Sequence, residues 1–106
     1  MRESAIERRF VEGVRKAGAR AWKFVSPGRA GVPDRIVLLP GGKVIFVELK
    51  TDLGVLSRLQ VFCHKQLRGM GFEVWTLYGM DDVEAFIDGI QAMGLSEKGC
   101  RMDPGS

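Results

Sequence analysis

The sequence predicts an α/β domain in which a mixed central sheet, an antiparallel hairpin plus a parallel crossover strand, is flanked by helices. Three observations carry that expectation. Two apolar runs, Ile36-Val37-Leu38-Leu39 and Val44-Ile45-Phe46-Val47, are bulky or β-branched and separated by Pro40-Gly41-Gly42, so they read as the strands of a hairpin. Apolar residues with a helical period lie on both sides of it. A further strand-like run, Phe72 to Leu77, follows the second helical pattern, and a helical crossover makes it parallel to the strand before.

Taken in order, Ser4-Ala5-Ile6-Glu7 carries a capping-box signature, and Ile6, Phe10, Val11, Val14 and Ala17 form the apolar stripe of a helix ending near Gly18. Ala21 to Val25 reads as a first strand, with Trp22 and Phe24 on one face and assigned to the core. The loop Ser26-Pro27-Gly28-Arg29-Ala30-Gly31 leads into the hairpin. Beyond the hairpin, Thr51-Asp52-Leu53-Gly54 is a turn, and Ser57-Arg58-Leu59-Gln60 opens a second helix with another capping-box signature. Leu59, Phe62, Cys63, Gln66, Leu67 and Met70 outline its inward side, and Gly69 or Gly71 ends it. The chain's only histidine, His64, shares a face with Gln60 one turn earlier and reads as a surface residue. Asp81 or Asp82 caps a last helix carrying Val83, Phe86, Ile87 and Ile90. Residues 1–94 are expected to form a single domain and 95–106 a flexible tail.

Composition narrows the classes. A chain of 106 residues allows one domain with a modest core, and 45% hydrophobic content excludes a disordered chain. No run approaches the roughly 18 apolar residues of a membrane span, and Met1-Arg2-Glu3-Ser4 lacks the apolar start of a signal peptide, so an intracellular setting, the cytoplasm or nucleoid of a bacterial host, is expected. Cys63 and Cys100 are too few for a zinc site and read as free thiols. The net charge of +3 is modest, but Arg8, Arg9, Arg15, Lys16, Arg20, Lys23, Arg29 and Arg35 crowd the first third of the chain, which suits a polyanionic partner. For Arg8, Arg9, Arg15 and Lys16 a solvated helix face serves equally well as an explanation. Arg29, in a loop with exposed amides, and Arg35 are the better candidates for phosphate contact.

The hairpin carries charge at one end: Pro33-Asp34 precedes its first strand, and Glu48-Leu49-Lys50 ends its second. Loop length decides whether these groups meet. With a two-residue Gly41-Gly42 loop, Asp34 lies opposite Leu49 and faces away from Glu48. With a three-residue loop, Pro40 at the first position of a type I turn and Gly42 left-handed at a bulge, Leu39 pairs with Lys43 and Asp34 falls opposite Glu48. Pro and Gly suit the second geometry. Their Cβ atoms are then about 4.5–5.5 Å apart, and Lys50 points to the same side. Two adjacent carboxylates repel unless a cation lies between them, so the pattern asks for a hard divalent ion, Mg²⁺ with Mn²⁺ as substitute. The Leu49 side chain turns to the core, leaving its backbone carbonyl as a candidate third ligand, and Lys50 is free to orient or deprotonate a water. The plainer alternative is a strand-end charge pair beside a turn aspartate; the apolar strands that end in these charges weigh against it.

Gly31-Val32-Pro33-Asp34-Arg35-Ile36, Val47-Glu48-Leu49-Lys50-Thr51 and Leu56-Ser57-Arg58-Leu59-Gln60, in that order, resemble the blocks of a VRR-NUC domain, the virus-type replication-repair branch of the PD-(D/E)XK nucleases. The resemblance spans roughly residues 1 to 80 and is more specific than any one block. It implies a restriction-endonuclease-like core and a metal-dependent, structure-selective DNA endonuclease. Asp34 and Glu48 would hold the metal, Lys50 would serve the attacking water, and Gln60 would support the site from its helix. An acidic residue on the first helix belongs to the pattern, and Glu7 matches it. From the residues alone Glu7 has two compatible readings, a cap for the first helix or a group facing the metal, and Gln60 is likewise either a cap or a site residue. Lys23, Arg29 and Arg35 are the candidate DNA contacts. Similarity to small junction resolvases implies branched DNA such as a four-way junction, and a homodimer to cut it symmetrically. The alternative is a catalytically silent or partner-dependent nucleic-acid-binding module of a replication or repair assembly.

Overall fold

A computed structural model describes residues 2–94; the expected tail, with Cys100, lies outside the described residues. The elements follow in the order α1 (Glu3–Lys16), β1 (Arg20–Lys23), β2 (Arg35–Leu38), β3 (Val44–Lys50), α2 (Arg58–Gly69), β4 (Glu73–Tyr78) and α3 (Gly79–Ala92). The strands form one sheet in the order β1-β2-β3-β4. The first two pairings are antiparallel, and β4 joins β3 in parallel through α2. This is the mixed α/β architecture that the hairpin and crossover patterns predict.

Hairpin register follows the three-residue loop. Leu39 N–H donates to the Lys43 carbonyl at 2.9 Å, and the ladder runs from Leu38–Val44 to Arg35–Val47. The turn type differs from expectation. Gly42 N–H donates to the Leu39 carbonyl at 3.2 Å, and the residue after Pro40, Gly41, has φ +93°. A type I turn has negative φ there; a positive value is that of type II, and glycine adopts it without a Cβ clash. Gly42 is left-handed as well, with φ +91°. Register survives because it depends on the number of loop residues, which both turns share.

Alternation along β3 divides the molecule into two layers. Ile45, Val47 and Leu49 turn to a core with Val37, Leu39 and Leu77 from the sheet, Ile6, Phe10 and Val14 from α1, and Val83, Ile87 and Ile90 from α3. The two helices come close at Gly13, where an added Cβ would lie 2.2 Å from Ile87 Cδ1. Phe46, Glu48 and Lys50 project to the other face, where Phe46 meets Phe24 and, edge-on, Phe72.

Both ends of the chain's helical plan need correction. Helix α1 begins at Glu3 with Arg2 as N-cap and no side-chain cap, so Ser4 lies inside the helix and the expected capping box does not form. Helix α3 begins at Gly79, ahead of either expected aspartate; Asp82 acts from the first turn, accepting the Tyr78 N–H at 2.8 Å. Among the described residues no helix is long and apolar enough to cross a membrane.

Candidate active site

Asp34 is placed by the loop before it. Pro33 is buried and fixes its own φ, while Gly31, at φ +87°, passes so close to α2 that a Cβ there would sit 2.4 Å from the Leu59 carbonyl oxygen. The chain then enters β2 with Asp34 one step beyond the Arg35–Val47 pair, opposite Glu48. Its backbone carbonyl accepts the Phe24 N–H at 2.8 Å, and its Oδ2 accepts the Leu49 N–H at 3.0 Å. The two strands therefore lock the aspartate from both sides, and the Leu49 side chain is buried in the opposite layer.

Glu48 is 2% exposed, in the middle of the sheet. Its Oε2 accepts a hydrogen bond from Gln60 Nε2 at 3.1 Å, and Lys50 Nζ lies 3.9 Å from the same oxygen. Its Oε1 has no hydrogen-bond partner among the described residues. Burial, then repulsion from the adjacent Asp34 carboxylate, pushes the Glu48 carboxyl up to about 8, with Lys50 opposing. A buried carboxylate with one oxygen uncompensated and a second carboxylate beside it is a donor set that fits a cation. Two carboxylates are also what Mg²⁺ commonly takes from a protein, the rest of its octahedron being water and phosphate oxygen. No group of three or more His, Cys, Asp and Glu that would cage an ion occurs among the described residues.

Gln60 makes both of its expected contacts with different ends of one amide. Its backbone N–H donates to Ser57 Oγ at 3.1 Å and its Oε1 accepts the Ser57 N–H at 2.9 Å, completing a capping box. Its Nε2 remains for Glu48. The cap orients the amide, and the oriented amide holds the carboxylate.

Glu7 and Arg35 are brought to each other, with Arg35 Nη2 3.1 Å from Glu7 Oε2. Arg35 follows Asp34 on the strand and so turns to the α1 side of the sheet. Its guanidinium is largely buried, with Nη1 3.5 Å from the Ala21 carbonyl and Nε without a partner. The sequence offers Arg35 as a phosphate contact; in the fold its guanidinium is paired with Glu7. Lys23 is exposed at the end of β1, and exposed Arg29 donates to Gln66 Oε1.

The residue that sequence reading misplaces is His64. It is 1% exposed, with Nε2 3.8 Å from Glu48 Oε1. Burial, then the Arg68 charge, lowers its pKa, which favours the neutral ring. The signal for its position is the one-turn spacing from Gln60. Accordingly the apolar residues expected on the inner side of α2 divide: Cys63 is buried, but Leu59, Phe62 at 56% and Met70 are exposed. Trp22, expected in the core, is 61% exposed on the edge strand.

No family model matches the chain. The protein named "Putative nuclease p44", from Acyrthosiphon pisum secondary endosymbiont phage 1, is 48% identical over 81 residues, which cover 76% of this chain and 87% of that protein. A solved structure described as "VRR_NUC domain" superposes with a TM-score of 0.75 at 28% identity, covering 81% of this chain and 94% of the other. A second, "VRR_NUC domain protein", has a TM-score of 0.65 at 19% identity, covering 90% and 92%, and speaks to the fold alone.

Proposed function

Because the chain belongs to the VRR-NUC nucleases, we propose that it is a Mg²⁺-dependent endonuclease that hydrolyses phosphodiester bonds in branched DNA, four-way junctions above all. The observation that carries this reading is the Glu48 carboxylate, buried beside Asp34 with one oxygen unpartnered. Asp34, Glu48 and the Leu49 carbonyl would hold the ion, Mg²⁺ or Mn²⁺. When bound, it polarises the phosphoryl oxygen and acidifies water. Glu7, paired with Arg35 through Oε2, is the further candidate ligand.

The chain's own residues divide the remaining work. Asp34 Oδ2 is held by the Leu49 amide and Glu48 Oε2 by the Gln60 amide, so one oxygen of each carboxylate is oriented before charge builds up on the substrate. Lys50 Nζ, close to Glu48 and partly exposed, orients the attacking water and offsets charge on the phosphoryl oxygens as the water oxygen bonds to phosphorus and the bridging P–O bond breaks. Arg29, exposed beside Gln66 of α2, would meet the DNA backbone on this face, and Lys23, exposed at the sheet edge and in register with Arg35, would do so from the other. Symmetric cleavage of a four-way junction needs two such sites about a two-fold axis, hence a homodimer. The exposed apolar side chains of Trp22, Leu59, Phe62 and Met70 give a second copy surface to bury.

The test is cleavage of labelled four-way junction, flap and linear duplex, with Mg²⁺, with Mn²⁺ and with chelator. Metal-dependent cutting of the junction is expected, and Asp34→Asn, Glu48→Gln and Lys50→Ala should each lower kcat on the order of 10³-fold or more while junction binding persists. A purified variant that cuts like wild type removes that residue from the site. No cutting of any substrate with either metal leaves the binding-module alternative.

A further inference from the structure

Helix α2 presents two side chains, one turn apart, to the two oxygens of Glu48. Gln60 holds Oε2 at 3.1 Å. His64 faces the other, with Nε2 3.8 Å from Oε1. That separation is too long for a hydrogen bond. Neither ring nitrogen has a hydrogen-bond partner among the described residues, and neither has Glu48 Oε1. Leaving a buried polar group unsatisfied costs about 1–3 kcal/mol, so a ring that only filled space would be a poor occupant beside a phenylalanine. Two of the unsatisfied atoms, however, are a donor position and an acceptor that face each other. A displacement of about 1 Å closes the gap to an ordinary N–H···O length.

We propose that His64 is a positioning residue for the metal-binding carboxylate, its Nε2–H engaging Glu48 Oε1 while Gln60 engages Oε2. The proposal rests on the metal-site reading above and adds a second tether to it. A carboxylate held through one oxygen still turns about its terminal torsion, which is broad and two-fold. Donors on both oxygens stop that rotation and leave a lone pair on each for a cation. His64 acts through Glu48 and not as a ligand, because Mg²⁺ selects oxygen donors. Partners of this kind set metal affinity by about 10- to 100-fold.

The experiment titrates Mn²⁺ into the untagged full chain and follows the free-ion electron paramagnetic resonance signal, with thermal melts as a check on folding and with kcat and KM on junction DNA. His64→Phe is expected to fold, to bind Mn²⁺ about tenfold or more weakly, and to lower kcat with KM nearly unchanged. His64→Gln, which keeps an N–H donor, should restore affinity to within about threefold of wild type. His64→Phe binding like wild type, or His64→Gln binding as weakly as His64→Phe, overturns the proposal. Wild type that binds no Mn²⁺ instead overturns the metal site itself, a distinct result. Should His64→Phe not fold, the wild-type protein decides: with a single histidine in the chain, its ¹⁵N imidazole signals are unambiguous. A proton on Nε2 supports the tether, and a bare Nε2 with the proton on Nδ1 refutes it.

Discussion

The sheet face under α1 and α3 and the face under α2 are made by alternate residues of the same strands, yet they obey different physics. Under α1 and α3, Ile45, Val47 and Leu49 pack with Phe10, Val14, Ile87 and Ile90, and every side chain in the cluster is apolar. Under α2, Phe46 and Val74 share the interior with Glu48 and His64, the buried polar side chains among the described residues, while Phe62 and Met70 of the covering helix stay exposed. One layer stabilises the domain. The other buries a carboxylate and an imidazole beside a strand that the first layer packs, and it is the layer that carries the candidate site.

The largest stability effect should come from damaging the apolar layer. Phe10→Ala, at a fully buried ring, is expected to cost about 3–5 kcal/mol in urea unfolding, while the folded fraction retains Mn²⁺ affinity. A loss of affinity at full folding would mean that the layers are coupled. Next in size is Gly31→Ala, which forces a Cβ toward the Leu59 carbonyl at a positive φ. About 1–3 kcal/mol is expected, and because this loop sets Asp34, metal affinity should fall with it; an unchanged affinity would show that β2 alone places the aspartate.

Damaging the polar layer should do the reverse. The Glu48 carboxyl is raised from an ordinary value of 4.5 to about 8 in the fold. The folded state therefore binds more protons between those values, and the stability Glu48 contributes is present below 4.5 and is lost as pH rises to about 8. Glu48→Gln removes the titrating charge, so its metal-free melting temperature should exceed that of wild type at pH 8, with the difference shrinking toward pH 4.5. Equal melting temperatures across that range would show that the carboxylate is already compensated. The smallest effect belongs to the outside of α2: Phe62→Ser should change stability by no more than about 0.5 kcal/mol in the monomer. A larger loss that grows with protein concentration would place a second copy on this surface.

Much of this arrangement is legible along the chain. Pro40-Gly41-Gly42 sets a three-residue loop, loop length sets register, and register puts Asp34 opposite Glu48. The capping pattern Ser57 to Gln60 is equally local, and it forms. The turn type is less legible, because Pro at the first loop position and Gly at the next suit type II as well as type I. The Ser4–Glu7 pattern resembles that of Ser57–Gln60 and caps nothing, since α1 starts two residues earlier than a Ser4 cap would place it. Local signatures mark where a helix can begin, and packing selects among the candidates.

Taken by itself, then, the sequence determined the αβ order, the parallel crossover, the hairpin register and the placing of Asp34, Glu48 and Lys50 on one face of the hairpin. These depend on alternation, period and loop length, which short stretches of chain specify. Only the tertiary structure decided the rotation of α2, which buries His64 against Glu48 and turns Leu59, Phe62 and Met70 outward, and the pairing of Glu7 on α1 with Arg35 on β2. Helical periodicity defines a face but not the direction it points. Here the side that holds Gln60 and His64 meets the buried carboxylate, because an unpartnered charge in the interior costs more than a few exposed apolar side chains.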